Sequence, residues 1–231
     1  MEKKEKYYWE LMWRKSLSIN SCFSKAVVNA GYLTWQQMLD ATCSYRLGAT
    51  RQGGVIFWQI NHEGRICDGK VMYYLPDCHR DKEQKPTWVS AMLAKRHGGK
   101  CEGDFTSHCF FGLHLLTKNK TKPIAIVEAE KTAVILSAQY PGYLWLASGG
   151  LGEVQAEKFR PLRGREIILF PDADPDGKAY VQWYKAAQAV MAEPWWEGSP
   201  PIRVSAILEQ HATPEQKQRK IDLVEYLAES E

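Results

Sequence analysis

Two stretches decide how this chain reads: Ile124-Ala125-Ile126-Val127-Glu128-Ala129-Glu130-Lys131-Thr132-Ala133 and Phe170-Pro171-Asp172-Ala173-Asp174-Pro175-Asp176-Gly177. The first opens, after Pro123, with a continuous apolar run at 124–127. Such a run fits a short strand buried on both faces. Residues 130–140 read as a mostly apolar helix. Residues 143–147 read as a second strand, ending at Ser148-Gly149-Gly150. Residues 156–162 are helical in pattern, and 166–170 form a third strand that ends at Pro171-Asp172. A long helix follows, with Tyr180, Tyr184, Ala187 and Met191 along one face. A fourth strand at 202–207 and a C-terminal helix at 221–228 complete the alternation. Strands alternating with helices predict an α/β fold around a parallel, doubly wound sheet.

In such sheets ligands gather at the carboxyl ends of the strands. Glu128 falls immediately after the first of these strands, and Asp172 and Asp174 fall immediately after the third. All three are therefore expected at one edge of the sheet, where a divalent cation could bridge them. Mg²⁺ takes one or two carboxylates and leaves its other positions to water and phosphate oxygens. Pro175-Asp176-Gly177 turns the chain sharply into the next helix, whose free N–H groups would cradle a phosphate. The alternative is an acidic turn with a helix cap, a common use of Asp, Pro and Gly. A calcium loop is disfavoured, because no Glu follows at the required spacing.

The upstream half has another rhythm. Residues 6–40 read as a small helical lead-in, with Tyr8, Leu11, Met12 and Lys15 at helical spacing and Thr34 and Gln37 placed as a capping box. From Tyr45 the pattern becomes β-rich. Gly53-Gly54 opens a run at 55–60, Asn61-His62-Glu63-Gly64 is a turn, and runs at 65–67 and 70–75 are separated by Asp68-Gly69, a turn signal. This is an antiparallel meander. Residues 76–86 read as a loop, 88–96 as a helix, and the chain from Gly98-Gly99-Lys100 to His108 as irregular. The expected division is a helical lead-in at 1–44, a basic α+β subdomain at 45–122 and a parallel α/β domain at 123–231.

Charge follows the same division. The net charge of +3 combines +8 over residues 1–122 with −5 over residues 123–231. A basic part beside an acidic one suits an enzyme that holds a polyanion and binds a divalent metal, as it also suits uneven solvated surfaces. Aromatics reach 12%, with nine tryptophans that could fill cores or stack on bases. No apolar run approaches the ~20 residues of a membrane helix. Met1-Glu2-Lys3-Lys4-Glu5-Lys6 leads into no signal-peptide pattern, so a cytoplasmic protein is expected. Six cysteines, Cys22, Cys43, Cys67, Cys78, Cys101 and Cys109, form no CxxC pair of the kind a zinc ribbon needs, and are expected to be reduced.

The stretch 124–133 resembles the first toprim motif, an apolar strand ending in Glu and usually followed by Gly-x-x-Asp-Ala. The stretch 170–177 resembles the second, an apolar strand ending in Asp-x-Asp-x-x-Gly, and Ser148-Gly149-Gly150 falls where the family has its glycine turn. Upstream, Tyr45-Arg46-Leu47-Gly48, Val55-Ile56-Phe57, Gly64-Arg65-Ile66 and Phe110-Phe111-Gly112-Leu113 resemble, in order, elements of the catalytic core of bacterial-type DNA primases. The run from Tyr45 onward is similar to primase-like toprim proteins of mobile genetic elements, including their Glu-x-Glu-Lys-Thr-Ala variant. The resemblance implies a toprim domain with a Rossmann-like four-stranded parallel sheet and flanking helices, preceded by a smaller α+β subdomain.

It also implies roles. Glu128 would be a general acid/base or metal-orienting carboxylate, and Asp172 and Asp174 the principal ligands of Mg²⁺ or Mn²⁺. Asp222, in Lys220-Ile221-Asp222-Leu223-Val224-Glu225, would be a further metal ligand, or else a helix cap. Arg65 and Lys70 would contact template or nucleotide phosphates, or else flank a hairpin. Lys131 would reach a phosphate, although a solvated first helical turn at Glu130-Lys131 is the plainer reading. Ala129 and Thr132 depart from the motif, and Thr132 leaves one family carboxylate missing. Neither a zinc ribbon nor a GxxxxGK[ST] loop is present. The function implied is RNA primer synthesis on single-stranded DNA from nucleoside triphosphates, in mobile-element replication, with a separate helicase or zinc-domain protein as a possible partner. A toprim nuclease and a non-catalytic nucleic-acid-binding module are the alternatives.

Overall fold

The computed structural model of the chain describes residues 10–96 and 108–230. Tyr8, Cys101 and the irregular stretch begun at Gly98-Gly99-Lys100 lie outside the described residues. The chain divides into two compact units, Met1–Leu115 and Leu116–Glu231.

In the first unit, helices α1 (Cys22–Asn29) and α2 (Trp35–Tyr45) precede an antiparallel sheet of β1 (Gly48–Ala49), β2 (Val55–Ile60), β3 (Ile66–Met72) and β4 (Thr87–Trp88), in that spatial order. Helix α3 (Val89–Arg96) follows directly. The expected capping box is present at α2. The Thr34 hydroxyl accepts the Gln37 N–H, and the Gln37 side chain accepts the Thr34 N–H at 2.9 Å. The core is aromatic. Phe23 of α1 meets Phe57 of β2 edge-on at 5.3 Å, and Tyr45 at the end of α2 stacks on Phe111 at 5.0 Å. Phe110, Phe111 and Leu113 are all buried, with Gly112 between them at φ 83°.

The meander differs from expectation at one point. Asp68-Gly69 is not a turn but the middle of β3, a single strand in which Gly69 pairs with Trp58 and Asp68 with Gln59. The dipeptide serves packing instead. A Cβ on Gly69 would lie 2.8 Å from Ile56 Cγ2 and 2.9 Å from the Trp58 ring, so only glycine lets the indole lie across this strand. Asp68 is 1% exposed, and its carboxylate accepts the Gly69 N–H, the Ser90 N–H and the Ser90 hydroxyl. A buried carboxylate needs such partners, and here they tie β3 to the first turn of α3.

The second unit is the expected four-stranded parallel sheet, formed by β5 (Ile124–Val127), β6 (Leu144–Ala147), β7 (Ile167–Phe170) and β8 (Ile202–Val204) in the order β6-β5-β7-β8. Helices α4 (Glu130–Gln139) and α5 (Lys178–Met191) lie between strands, and α6 (Ile207–His211), α7 (Pro214–Arg219) and α8 (Leu223–Ser230) follow β8. Residues 156–162 form a 3₁₀ rather than an α-helix. Every residue of β5 and β6 is buried, which accounts for their unbroken apolar character. The buried face of α5 is Ala179, Trp183, Ala187 and Val190. The anticipated stripe is therefore rotated, with Tyr180 and Tyr184 stacked on one another at 6.3 Å and Tyr184 exposed. Among the described residues no helix is long and apolar enough to cross a membrane.

The substitution Gly69→Ala is expected to cost about 1–3 kcal/mol through overpacking against Trp58. It should lower the urea midpoint at unchanged slope, and an unchanged midpoint would show that the indole has room to move.

Candidate metal and phosphate site

Register brings the acids together. Val127 at the end of β5 is paired with Phe170 at the end of β7, so the residues that continue each strand leave the same edge of the sheet. Glu128 continues β5, and Pro171-Asp172 continues β7. The glycine turn after β6 docks on the first of these. Ser148 N–H donates to the Val127 carbonyl and Gly149 N–H to the Glu128 carbonyl, both at 2.9 Å. Gly149 sits at φ 87°, in the left-handed region that glycine adopts without strain.

A further backbone bond brings in the C-terminal segment. Ala173 N–H donates to the Ile221 carbonyl at 3.1 Å, which lays the residue before Asp222 against the loop of Asp172 and Asp174. Lys220 makes this possible by ending α7 in the left-handed conformation, at φ 58°. The chain then turns straight into α8.

Each acid has a distinct environment. Burial of its carboxyl group, and then the negative charges of Asp222 and Glu128, push the Asp172 pKa well above the usual carboxylate range, with Lys131 pulling the other way. Asp174 is the reverse case. Partial desolvation opposes its charge. N–H bonds from Ala179, Lys178 and Asp176, with the charge of Lys220, outweigh that and hold its pKa below the ordinary value. Its Oδ1 accepts from Asp176 and Lys178 at 3.0 and 3.1 Å, and its Oδ2 accepts from Ala179 at 2.6 Å. The helix-cap reading of Asp174 is thus realised. Two bonds fill Oδ1 and one lone pair is left on Oδ2.

Asp222 is also a cap and more. Its Oδ1 accepts the Glu225 N–H at 2.9 Å, while Oδ2 lies 2.9 Å from Lys131 Nζ and accepts the Thr132 hydroxyl at 3.0 Å. Lys131 Nζ also donates to Glu225 Oε1 at 2.7 Å. Burial works against this ammonium, but Asp222 and Glu225 outweigh it and hold the lysine firmly charged. Glu130 and Lys131 are both buried, so the solvated first turn expected there is overturned.

Two residues of this network escaped the reading of the sequence. Thr132, counted only as a missing carboxylate, is buried and bonds Asp222. Glu225 was visible only as a neighbour three residues beyond Asp222, a spacing that places both on one helical face.

Arg65 and Lys70 belong to the first unit. Arg65 is exposed and ion-paired with Glu63, and Lys70 lies on β3 between Phe57 and Trp88.

Could these groups hold a cation? Among the described residues no three His, Cys, Asp or Glu side chains form a metal cage. A hard ion such as Mg²⁺ does not need one, since one or two carboxylates suffice. Burial first, and then the negative charge around it, pushes Asp172 upward, and a divalent ion would offset both. The donor set therefore fits.

The opposed environments of the two aspartates give opposite expectations. Because the folded chain holds the Asp172 proton more tightly than the unfolded chain, its contribution to stability is full below about pH 3.8 and is lost as pH rises through the raised folded value. Asp172→Asn should therefore raise the Tm of metal-free protein at neutral pH, by about 2–4 °C per kcal/mol of repulsion removed. Asp174→Ala should lower it, losing about 1–2 kcal/mol with the cap of α5. Thermal unfolding in a chelator reads both, and equal destabilisation by the two would contradict these environments.

Three solved structures share this architecture. The DnaG catalytic core is 12% identical with a TM-score of 0.57, over 98% of this chain and 83% of that one. The DnaG primase catalytic domain bound to ssDNA is 13% identical with a TM-score of 0.55, over 99% and 85%. The E. coli primase catalytic core is 14% identical with a TM-score of 0.56, over 99% and 79%. At such identities the likeness shows the fold, which is that of a primase catalytic core. No curated protein matches the chain in sequence. One family model does, over residues 25–173, which takes in Glu128 and Asp172 and stops before Asp174 and Asp222. The match spans more than half of the sequence, and the chain belongs to the family described as Domain of unknown function (DUF6371).

Proposed function

We propose that the second unit is a toprim domain and that the chain is a primase-like nucleotidyltransferase dependent on Mg²⁺ or Mn²⁺. The observation that carries this reading is the crowding of Glu128, Asp172 and Asp222 at the carboxyl edge of the parallel sheet. The fold likeness to primase cores over nearly the whole chain supports it. Glu128 and Asp172 would hold the cation, with one remaining lone pair each on Asp174 Oδ2 and Asp222 Oδ1. When bound, the ion would neutralise a triphosphate and make a 3′ hydroxyl more acidic.

The protein's own groups do the positioning. Asp174 holds the first turn of α5 and with it the loop that carries Asp172. The Gly149 N–H fixes the backbone from which Glu128 projects. Glu128 would take up the hydroxyl proton as general base. Residues 1–122, with their net charge of +8, would follow a single-stranded template, Arg65 and Lys70 among the contacts. One of the related primase domains was solved bound to ssDNA, which supports that choice of template. A cytoplasmic role in replicating a mobile genetic element, with a helicase or zinc-domain protein supplied separately, completes the proposal.

The test is incubation with single-stranded DNA, labelled ribonucleotides and Mg²⁺ or Mn²⁺. Short labelled products are expected, and Asp172→Ala should reduce them by about 10²-fold or more. Shortened DNA formed without nucleotides would point to a nuclease. DNA affinity unchanged by Asp172→Ala, with no metal uptake and no products, would leave a binding module.

A further inference from the structure

Lys131 is out of place by every local rule. It lies in the first turn of α4, where the helix dipole disfavours a cation. Its side chain is only 9% exposed, although lysine is rarely buried unless it is paired. What holds it there is distant in sequence. Nζ lies 2.9 Å from Asp222 Oδ2 and 2.7 Å from Glu225 Oε1, so carboxylate oxygens from two residues of the C-terminal segment converge on one positive charge. The Thr132 hydroxyl completes Asp222 Oδ2, whose two lone pairs are then both engaged. Asp222, Glu128 and Glu225 all place negative charge on Asp172 here, and some phosphoryl-transfer sites hold a pair of divalent ions.

We infer that Lys131 is a built-in cation of the acidic site, standing where Asp222 and Glu225 would otherwise hold a second divalent ion, so that the site takes a single one. The inference rests on the metal-dependent reading above and narrows it. The ammonium neutralises Asp222 and Glu225 permanently, and the exchangeable ion is the one assigned above to Glu128 and Asp172. Lys131 is then a positioning residue and not a phosphate contact. The Thr132 hydroxyl belongs to the same arrangement, because a carboxylate in its place would face Asp222 with like charge.

Mn²⁺ binding followed by calorimetry and by electron paramagnetic resonance tests this without any activity assay. The wild-type chain should bind one Mn²⁺. Lys131→Met should bind two, and Lys131→Arg, which keeps the charge, should bind one. Two ions in the wild type, or the same count in wild type and Lys131→Met, would overturn the inference. No ion in the wild type but one in Lys131→Met would sink the metal-dependent reading while keeping the place assigned to Lys131. Removing one partner of a buried pair is costly, so Lys131→Met could fail to fold in chelator. Circular dichroism then reads the result. Recovery of the fold on adding excess Mn²⁺, but not on adding salt of equal ionic strength, supports the substitution of ion for ammonium, and no recovery overturns it.

Discussion

The parallel pairing of β5 with β7 is the constraint on which the second unit depends. Two parallel neighbours must end at the same edge of their sheet, and both must be covered on their faces. Ile124–Val127 meets that requirement with four buried residues and flanking strands on both sides. The apolar demand ends at Val127 and Phe170, which are register partners. Polar groups that follow are delivered to one place, whatever the rest of the chain does. Acid chemistry at this edge is thus a consequence of strand length and direction.

What that edge contains is a balance of charge. Carboxylates brought together in a partly dry environment resist ionisation, and Asp172 shows the strain of that crowding most plainly. The protein relieves it in two ways. Asp174 is absorbed by the amide groups at the start of α5, and Asp222 is absorbed by Lys131, Thr132 and the start of α8. Asp172 still bears its burial and the charges of Asp222 and Glu128.

Much of this was legible in the residues. Unbroken apolar runs of four or five residues, followed by Glu128, by Ser148-Gly149-Gly150 and by Pro171-Asp172, marked three of the four parallel strands. The pair Thr34 and Gln37 marked a helix start that is present as a full capping box. Other features misled because their causes are distant. Asp68-Gly69 carries the local chemistry of a turn, yet the Trp58 ring and Ser90 hold it in a strand. On α5 the buried residue is Trp183 and not its neighbour Tyr184, because the wider indole finds cover and a hydrogen bond to the Leu151 carbonyl. Glu130-Lys131 has the composition of a wet first turn, and its partner Glu225 lies 94 residues away.

The sequence by itself determined the order of strands and helices, the edge at which Glu128, Asp172 and Asp174 emerge, and the division of charge along the chain. These follow from periodicity and turn chemistry, which act over a few residues. Only the tertiary structure decided which carboxylates are engaged and which are left crowded. That depends on a single backbone bond from Ala173 to Ile221 and on an ammonium buried between two acids. Interactions of that range leave no periodic trace, because each is made by residues whose neighbours in sequence say nothing about where the chain returns.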